Sequence, residues 1–211
     1  MSIANIQMNT KKQLIEYLEK NTKVLQTPRI KSAFEKIDRK DFVPDDYKQK
    51  AYEDYPLPIG FGQTISQPTT VAFMFELLDL KPNHKVLDVG SGSGYTTALL
   101  AFLVPNGEIL GLEILPELAE MGKNNLRKYD FTNAKIERGN GQSIFTDSPQ
   151  KFDRILVNAT TEKVPENLIG VLKSGGKMVI PIKQSILKIT KKDDKDIYSV
   201  EYPGFVFVPL R

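Results

Sequence analysis

A glycine-rich turn between an apolar strand and a helix constrains the fold of this chain more than any other stretch. Gly90, Gly92 and Gly94 follow the apolar run at residues 86–89, which is typical of a strand buried on both faces. Without a Cβ, the backbone can turn sharply there and a ligand can approach it closely. Residues 95–103 repeat leucine at helical spacing, which predicts a helix after the turn.

The acidic residues around this turn indicate the kind of ligand. A second strand is predicted over residues 108–112, and Glu113 follows it. A carboxylate roughly 20 residues after such a turn can accept hydrogen bonds from two ribose hydroxyls. The loop is neither a dinucleotide fingerprint nor a P-loop. The carboxylate of Asp88 would repel a pyrophosphate, but it suits a ligand that has an amino-acid group with a positive charge at one end. Taken alone, the loop is also compatible with a plain βα turn.

Strands and helices alternate along most of the chain, which predicts a largely parallel α/β sheet with right-handed crossovers. Helices are predicted at residues 9–25, from Pro28, and at 68–79, 116–128 and 164–172; further strands at 134–138, 152–157, 177–182, 186–190 and 205–208. Residues 41–67 are predicted to be an irregular loop whose aromatic side chains pack against the protein. Ligands of such sheets bind at the carboxyl ends of the strands. Asp88, Glu113, Asn140 and Asn158 all fall at such ends.

Length and composition define the class of protein. The chain has 211 residues, enough for one domain, and we predict a single domain over 1–211, with N-terminal helices and a substrate loop in 1–80 and the core in 81–211. A net charge of +3 gives no support for a nucleic-acid partner. The chain has no cysteine, and no signal peptide or membrane span is recognised. We expect a cytoplasmic monomer without membrane partners and assign no metal site.

Several segments together resemble the protein-L-isoaspartate (D-aspartate) O-methyltransferase family of class I methyltransferases. The resemblance begins near residues 39–44, takes in 62–68 and 86–95, and ends with 204–210. The Gly-Gln-Thr-Ile-Ser-Gln-Pro segment at 62–68 is specific, because other class I methyltransferases lack it. The resemblance implies a Rossmann-like fold with a largely parallel seven-stranded sheet, helices on both faces and an N-terminal helical extension.

The resemblance also implies the reaction. A methyl group would pass from S-adenosylmethionine to the free α-carboxylate of L-isoaspartyl and D-aspartyl residues in damaged proteins and peptides, which initiates repair. Ser66 matches the serine that is the family's assigned active-site residue; a helix cap is the other interpretation of Ser66. The acceptor carboxylate, with a pKa near ~3.5–4, is already an anion at neutral pH. No general base is needed, and His84 is expected to have no catalytic role.

The cofactor is expected to contact residues in four parts of the chain. Asp88 and the backbone of the glycine loop would hold its amino-acid end, Glu113 its ribose, and the residues after Glu113 and after the third strand its adenine. The predicted cofactor-binding residues are Thr64, Ile65, Asp88, Gly90, Ser91, Gly92, Glu113, Ile114, Asn140 and Gly141.

Two departures from the family pattern leave alternatives open. Asn140 stands where the family has an aspartate that meets the adenine amino group; an amide oxygen accepts that hydrogen bond more weakly, and a simple turn residue is the other interpretation. At residues 158–161 this chain has Asn-Ala-Thr-Thr, whereas the family usually has small apolar residues. This segment either alters which acceptor is used or is an ordinary loop between a strand and a helix. The alternatives for the whole chain are a class I methyltransferase for another acceptor and a catalytically silent S-adenosylmethionine-binding protein.

Overall fold

The structure, a computed structural model, describes residues 7–141 and 150–210. The helices of these residues are α1 (Lys11–Lys20), α2 (Pro28–Lys36), α3 (Pro68–Leu78), α4 (Tyr95–Leu103), α5 (Pro116–Leu126) and α6 (Glu166–Val171). The strands are β1 (Leu57–Gly60), β2 (Gln63–Ile65), β3 (Lys85–Val89), β4 (Glu108–Glu113), β5 (Ala134–Arg138), β6 (Phe152–Val157), β7 (Leu172–Ile182), β8 (Ser185–Lys191) and β9 (Ile197–Pro203).

Seven of these strands form one sheet in the order β5-β4-β3-β6-β7-β8-β9. The pairs from β5 to β7 are parallel, and the last two pairs are antiparallel. The chain moves from β3 outward to β5 and then returns to place β6 on the other side of β3. This reversal of strand order opens a crevice at the carboxyl ends of β3, β4 and β6, where ligands of α/β sheets bind.

Successive residues of a strand point to opposite faces of the sheet. Apolar side chains pack on both faces, in two separate clusters. Val86 and Leu156 belong to one buried cluster, which also contains side chains of α1 to α5. Leu87 and Ile155 belong to a second cluster, which includes Leu168 of α6. The predicted Rossmann-like fold, with a largely parallel seven-stranded sheet and helices on both faces, is confirmed.

The N-terminal helices are well defined by their caps. The Thr10 hydroxyl accepts a hydrogen bond from the Gln13 N–H at 3.2 Å, and Gln13 Oε1 accepts the Thr10 N–H at 3.1 Å. This capping box sets the start of α1, and the helix ends at Lys20, well short of the predicted residue 25. Pro28 occupies the first turn of α2 as expected.

The loop at residues 41–67 contains more regular structure than the sequence predicts. Two 3₁₀ helices, Arg39–Phe42 and Asp45–Lys50, precede the antiparallel β1–β2 hairpin. Phe42 is fully buried and stacks on Tyr129 with ring centroids 5.8 Å apart, so its predicted packing is confirmed. Phe61, at the tip of the hairpin, is 54% exposed, so the same prediction is wrong for that side chain.

Two element boundaries near the C-terminus differ from prediction. The strand predicted over 177–182 is longer in the structure, because β7 begins at Leu172, directly after α6, and runs through Gly175 and Gly176. Its register against β6 shifts there, and Gly175 has a φ of +79°, which glycine adopts without strain. The predicted strand at 205–208 is also wrong, because β8 pairs with residues 197–203 and the chain turns at Gly204, with a φ of +97°.

Candidate functional site

A pocket lies at the carboxyl ends of β3, β4 and β6. It comprises about 770 Å³ of space, part of it open to solvent. The β1–β2 hairpin forms one wall, and residues 208–210 form another. The residues that line it are Ile59, Gln63, Thr64, Ile65, Ser66, Val71, Val89, Gly90, Ser91, Gly92, Ser93, Tyr95, Thr96, Leu112, Glu113, Ile114, Leu115, Gly139, Gly141, Asn158, Ala159, Val208, Pro209 and Leu210.

The glycine loop forms the floor of this pocket. The φ angles of Gly90 and Gly92 are +74° and +51°, which glycine adopts without backbone strain. The N–H groups of Gly90 and Ser91 both donate to the Leu112 carbonyl, at 2.8 and 3.0 Å. A Cβ on Gly92 would lie 3.1 Å from Ile59 Cδ1, so the β1 strand approaches the loop closely. The loop is therefore held between β4 and the hairpin.

Glu113 connects the glycine loop to the end of β4. Its Oε2 accepts the Gly92 N–H at 2.9 Å, and its Oε1 accepts the Leu115 N–H at 3.0 Å. The side chain is 6% exposed and lines the pocket. A carboxylate has about four acceptor positions, so both oxygens can still accept hydrogen bonds from two vicinal hydroxyls.

Ser91 provides a test of whether the pocket suits a polar ligand. Its hydroxyl is buried without a hydrogen-bond partner among residues 7–141 and 150–210, yet the residue lines the pocket. A buried polar atom without a partner is costly, and a polar ligand in the pocket would remove that cost. The amino-acid end of S-adenosylmethionine, with its carboxylate and ammonium groups, fits this requirement.

Asp88 is fully buried and does not itself line the pocket, but its hydrogen-bond partners Thr96 and Asn158 do. Its Oδ2 accepts hydrogen bonds from the Thr96 and Thr97 hydroxyls at 2.9 and 2.6 Å, and its Oδ1 accepts one from Asn158 Nδ2 at 2.7 Å. Burial raises the pKa of the Asp88 carboxyl above its ordinary value, and the three hydrogen bonds oppose that rise. Any influence of Asp88 on a ligand is therefore transmitted through its partners.

Ser66 lies where the pocket meets a second cavity. This neighbouring cavity is a groove lined by Pro56, Thr64, Ser66, Gln67, Thr69, Thr70, Asn158 and residues 204–208. Ser66 does not cap α3: the cap position is Gln67, and the Thr69 N–H of the first turn is bound by Asp54 Oδ1 at 2.8 Å. The interpretation of Ser66 as a helix cap is therefore wrong. Its hydroxyl has no hydrogen-bond partner within the described parts of the chain.

The other predicted cofactor residues line the same pocket, except Asn140. Thr64 and Ile65 line it on the hairpin side, and Ile114 lines it beside Glu113. Gly139 and Gly141 line it at the end of β5, on either side of Asn140, whose side chain is half-buried. A Cβ on Gly141 would clash with Val89, so a glycine is needed at that position.

Sequence reasoning did not assign Asn158 to the cofactor site, although the side chain lines both cavities. The sequence predicts Asn158 at the carboxyl end of a strand, but its contact with Asp88 depends on β6 lying beside β3. His84, by contrast, lies before β3 at the opposite edge of the sheet. Its Nδ1 accepts the Lys81 N–H at 3.0 Å, which indicates a structural role.

The described residues contain neither a membrane-spanning helix nor a cluster of metal-ligating side chains. Within 7–141 and 150–210, no helix is long and apolar enough to cross a membrane. The same residues contain no group of three or more His, Cys, Asp or Glu side chains that could hold a metal ion.

Three known proteins that this chain resembles share one description. Protein-L-isoaspartate O-methyltransferases of Methanopyrus kandleri and Petrotoga mobilis are 44% and 43% identical to it. The alignments cover 95% of this chain and 90% of the first relative, and 93% of this chain and 93% of the second. A crystal structure of a Plasmodium falciparum protein of the same description, in complex with S-adenosyl-L-homocysteine, superposes with a TM-score of 0.86 at 28% identity. That superposition covers 97% of this chain and 99% of the other.

The family model for protein-L-isoaspartate(D-aspartate) O-methyltransferase matches residues 9–211. This match covers the glycine loop, the Ser66 segment and the C-terminal wall of the pocket. The chain belongs to the protein-L-isoaspartate(D-aspartate) O-methyltransferase family, whose cofactor is S-adenosylmethionine.

Proposed function

We propose that this protein transfers the methyl group of S-adenosylmethionine to the free α-carboxylate of L-isoaspartyl and D-aspartyl residues in damaged proteins. In the methyl ester, the methoxy group is a good leaving group: attack of the neighbouring backbone nitrogen on the ester carbonyl closes a succinimide and releases methanol, which initiates repair. The observation that carries the proposal is the position of Ser66 at the junction of the pocket and the open groove, with its hydroxyl unbonded among the described residues.

The residues of the site suit a reaction that needs alignment more than proton transfer. When bound, S-adenosylmethionine supplies an electrophilic methyl group on a positively charged sulfur. Glu113 and the glycine loop would fix S-adenosylmethionine in place. The Ser66 hydroxyl would donate a hydrogen bond to one oxygen of the carboxylate that receives the methyl group. The other acceptor oxygen, already ionised, is the nucleophile. Orientation of this kind can contribute up to ~7–11 kcal/mol in favourable systems.

Residues outside the reacting centre would hold the cofactor. We propose that Asp88, through its partners, Ser91 and the backbone of Gly90 and Gly92 hold the amino-acid end, and that Glu113 binds the ribose. Thr64 and Ile65 would close over the donor from the hairpin. Ile114, Asn140 and Gly141 would contact the adenine.

The setting in which the protein works is also a proposal. We propose a cytoplasmic monomer, folded as a single domain over residues 1–211, that acts on isoaspartyl-containing proteins and peptides without nucleic acid or membrane. The modest net charge of +3 supports the exclusion of nucleic acid.

A pair of peptides tests the proposed reaction. One carries an isoaspartyl residue and the other its normal aspartyl twin, and both are incubated with methyl-labelled S-adenosylmethionine. We expect labelled methanol to be released after base treatment from the isoaspartyl peptide alone. Equal labelling of both peptides, or labelling only of another acceptor in a mixed panel, would contradict the proposal. Binding of S-adenosylhomocysteine without transfer would instead support a catalytically silent protein.

A further inference from the structure

Among residues 7–141 and 150–210, Asn158 is the one amide side chain that both bonds to Asp88 and lines the two adjoining cavities. It follows β6, and its own N–H donates to the Val89 carbonyl at 2.9 Å, which extends the β3–β6 pairing by one residue. A Cβ on Gly90 would lie 3.9 Å from the Asn158 Cβ. The side chain therefore lies beside the glycine loop, at the end of the pocket assigned to the amino-acid end of the cofactor.

The hydrogen bonds of Asn158 account for its amide nitrogen but leave its amide oxygen unused. The nitrogen donates to Asp88 Oδ1 at 2.7 Å and makes longer contacts to the Val89 carbonyl and the Thr96 hydroxyl, at 3.3 and 3.4 Å. An asparagine amide has two donor hydrogens and an oxygen with two lone pairs. No described residue donates to that oxygen, so it is available to a donor in the pocket.

Asp88 determines which kind of donor this oxygen favours. Its three hydrogen-bond donors are all neutral side chains, and no Lys or Arg forms an ion pair with it in the described parts of the chain. A buried carboxylate without a cation is costly. A ligand that brings a positive charge close to Asp88 reduces this cost, and the amide of Asn158 lies on the path from Asp88 to the pocket.

We propose that the Asn158 amide oxygen accepts a hydrogen bond from the α-ammonium group of S-adenosylmethionine, so that Asn158 connects this cation to Asp88. The nitrogen of the amide holds the carboxylate while the oxygen holds the ligand. The proposal rests on cofactor binding and is independent of the acceptor. It assigns Asn158 to the cofactor, whereas the sequence had suggested acceptor choice or an ordinary loop.

Two ligands that differ only in the amino-acid end test this role by calorimetry. S-adenosylhomocysteine carries the α-ammonium group, and 5′-methylthioadenosine keeps the adenosine and sulfur but lacks the amino-acid end. Asn158→Ala is expected to weaken S-adenosylhomocysteine binding by roughly 10-fold or more, the usual size for a lost hydrogen bond to a charged group. Binding of 5′-methylthioadenosine is expected to change by less than about twofold, since the lost hydrogen bond is to the missing group.

Asn167→Ala is the matched control, because Asn167 also donates an amide hydrogen bond, to the Gly141 carbonyl at 2.8 Å, near the proposed adenine site. Its removal is expected to affect both ligands by the same factor. An equal loss for both ligands in Asn158→Ala would show a merely structural role and overturn the proposal. Unchanged S-adenosylhomocysteine binding would overturn it as well, even if the KM for an isoaspartyl peptide rises.

A measurement on the unaltered protein covers the case in which Asn158→Ala does not fold. The side-chain amide resonances of Asn158 are expected to shift in nitrogen-15 NMR spectra when S-adenosylhomocysteine binds and to move little with 5′-methylthioadenosine. Shifts of equal size with both ligands, or none with either, would contradict the proposal. None of these experiments includes an acceptor peptide, so their failure is distinguishable from failure of the proposed methyl transfer.

Discussion

Arg39 Nη2 donates a hydrogen bond of 3.1 Å to the carbonyl oxygen of Ser66, 27 residues further along the chain. The same guanidinium donates to the carbonyls of Ala51 and Tyr55, at 2.7 and 3.1 Å. Arg39 is 1% exposed, and this burial lowers the pKa of its guanidinium to about 10. A buried cation therefore fixes the segment that carries Ser66 by binding main-chain oxygens.

Replacing Arg39 with methionine should destabilise the protein and disturb Ser66 together. The buried carbonyl of Ala51 and the partly buried carbonyls of Tyr55 and Ser66 would lose their donor, at up to about 1–3 kcal/mol each, partly offset by removal of a poorly solvated charge. We expect a net loss of roughly 2–4 kcal/mol in the free energy of unfolding, measured by urea denaturation. Arg127→Met, at the exposed residue that directly follows α5, is the control and should stay within about 0.5 kcal/mol. A variant of Arg39 as stable as the unaltered protein would contradict this account.

Ser66→Ala should separate the acceptor from the cofactor. Loss of a hydrogen bond to a charged oxygen predicts a fall of roughly 10- to 100-fold in kcat/KM for an isoaspartyl peptide. The affinity for S-adenosylhomocysteine, measured by calorimetry, should remain within about twofold, because the adenosine contacts lie elsewhere. Ser199→Ala on the exposed strand β9 is the control. Equal losses in turnover and in cofactor affinity would show that Ser66 is only structural.

The parts of the site that sequence predicts are those that follow from local spacing. The loop from Gly90 to Gly94 and the acid at Glu113 are separated by one helix and one strand, so a repeated local pattern brings them together. The contact between Asp88 and Asn158 cannot be found this way, because it depends on the strand order that puts β6 beside β3. The role of Arg39 cannot be predicted for a different reason: its partners are main-chain oxygens, which every residue has and no sequence pattern identifies.

The predictions of secondary structure are wrong where burial and the periodicity of apolar residues carry little information. Strand β9 is largely exposed, so Ile197, Tyr198 and Val200 give no clear alternation of apolar and polar positions. The more apolar segment at 205–208 fits a strand pattern better, yet it forms part of the groove beside Ser66. The gap predicted between the helix at 164–172 and the strand at 177–182 is also absent, because β7 continues through Gly175 and Gly176 with a shift of register.

Glu113→Gln is expected to weaken cofactor binding through two effects. One oxygen becomes an NH₂ group, which cannot accept the hydrogen bond from either Gly92 or Leu115, and the acceptors available to the ribose are fewer. We expect the Kd of S-adenosylhomocysteine to rise by roughly 10- to 100-fold. Glu117→Gln, in the exposed first turn of α5, makes the same change in net charge and should leave the Kd unchanged. An unchanged Kd in Glu113→Gln would remove this residue from the site.

Asn140→Asp should strengthen cofactor binding if the side chain meets the adenine amino group. A carboxylate accepts such a hydrogen bond more strongly than an amide oxygen, so the Kd of S-adenosylhomocysteine is expected to fall by about 3- to 10-fold. Asn106→Asp, in the exposed turn after α4, adds the same charge far from the pocket and is the control. Equal affinities in all three proteins would make Asn140 a turn residue.

His84 should make stability depend on pH. The side chain is 8% exposed, and burial, together with the nearby charge of Arg154, lowers the pKa of its imidazole to about 4. The unfolded chain, with a histidine pKa near ~6.5, therefore binds more protons than the folded chain between these two values. Stability from this source is fully present at pH 7 and is lost as the pH falls from about 6.5 towards 4.

His84→Asn isolates this effect, because an amide oxygen can still accept the Lys81 N–H but does not titrate near neutral pH. Each protein is unfolded with urea at pH 7 and at pH 4.5, and the loss of unfolding free energy between the two is compared. The unaltered protein should lose roughly 2 kcal/mol more than the variant over this range. Carboxylates that titrate in the same range contribute equally to both proteins and cancel in the difference. The same loss in both proteins would mean that His84 titrates normally in the folded state.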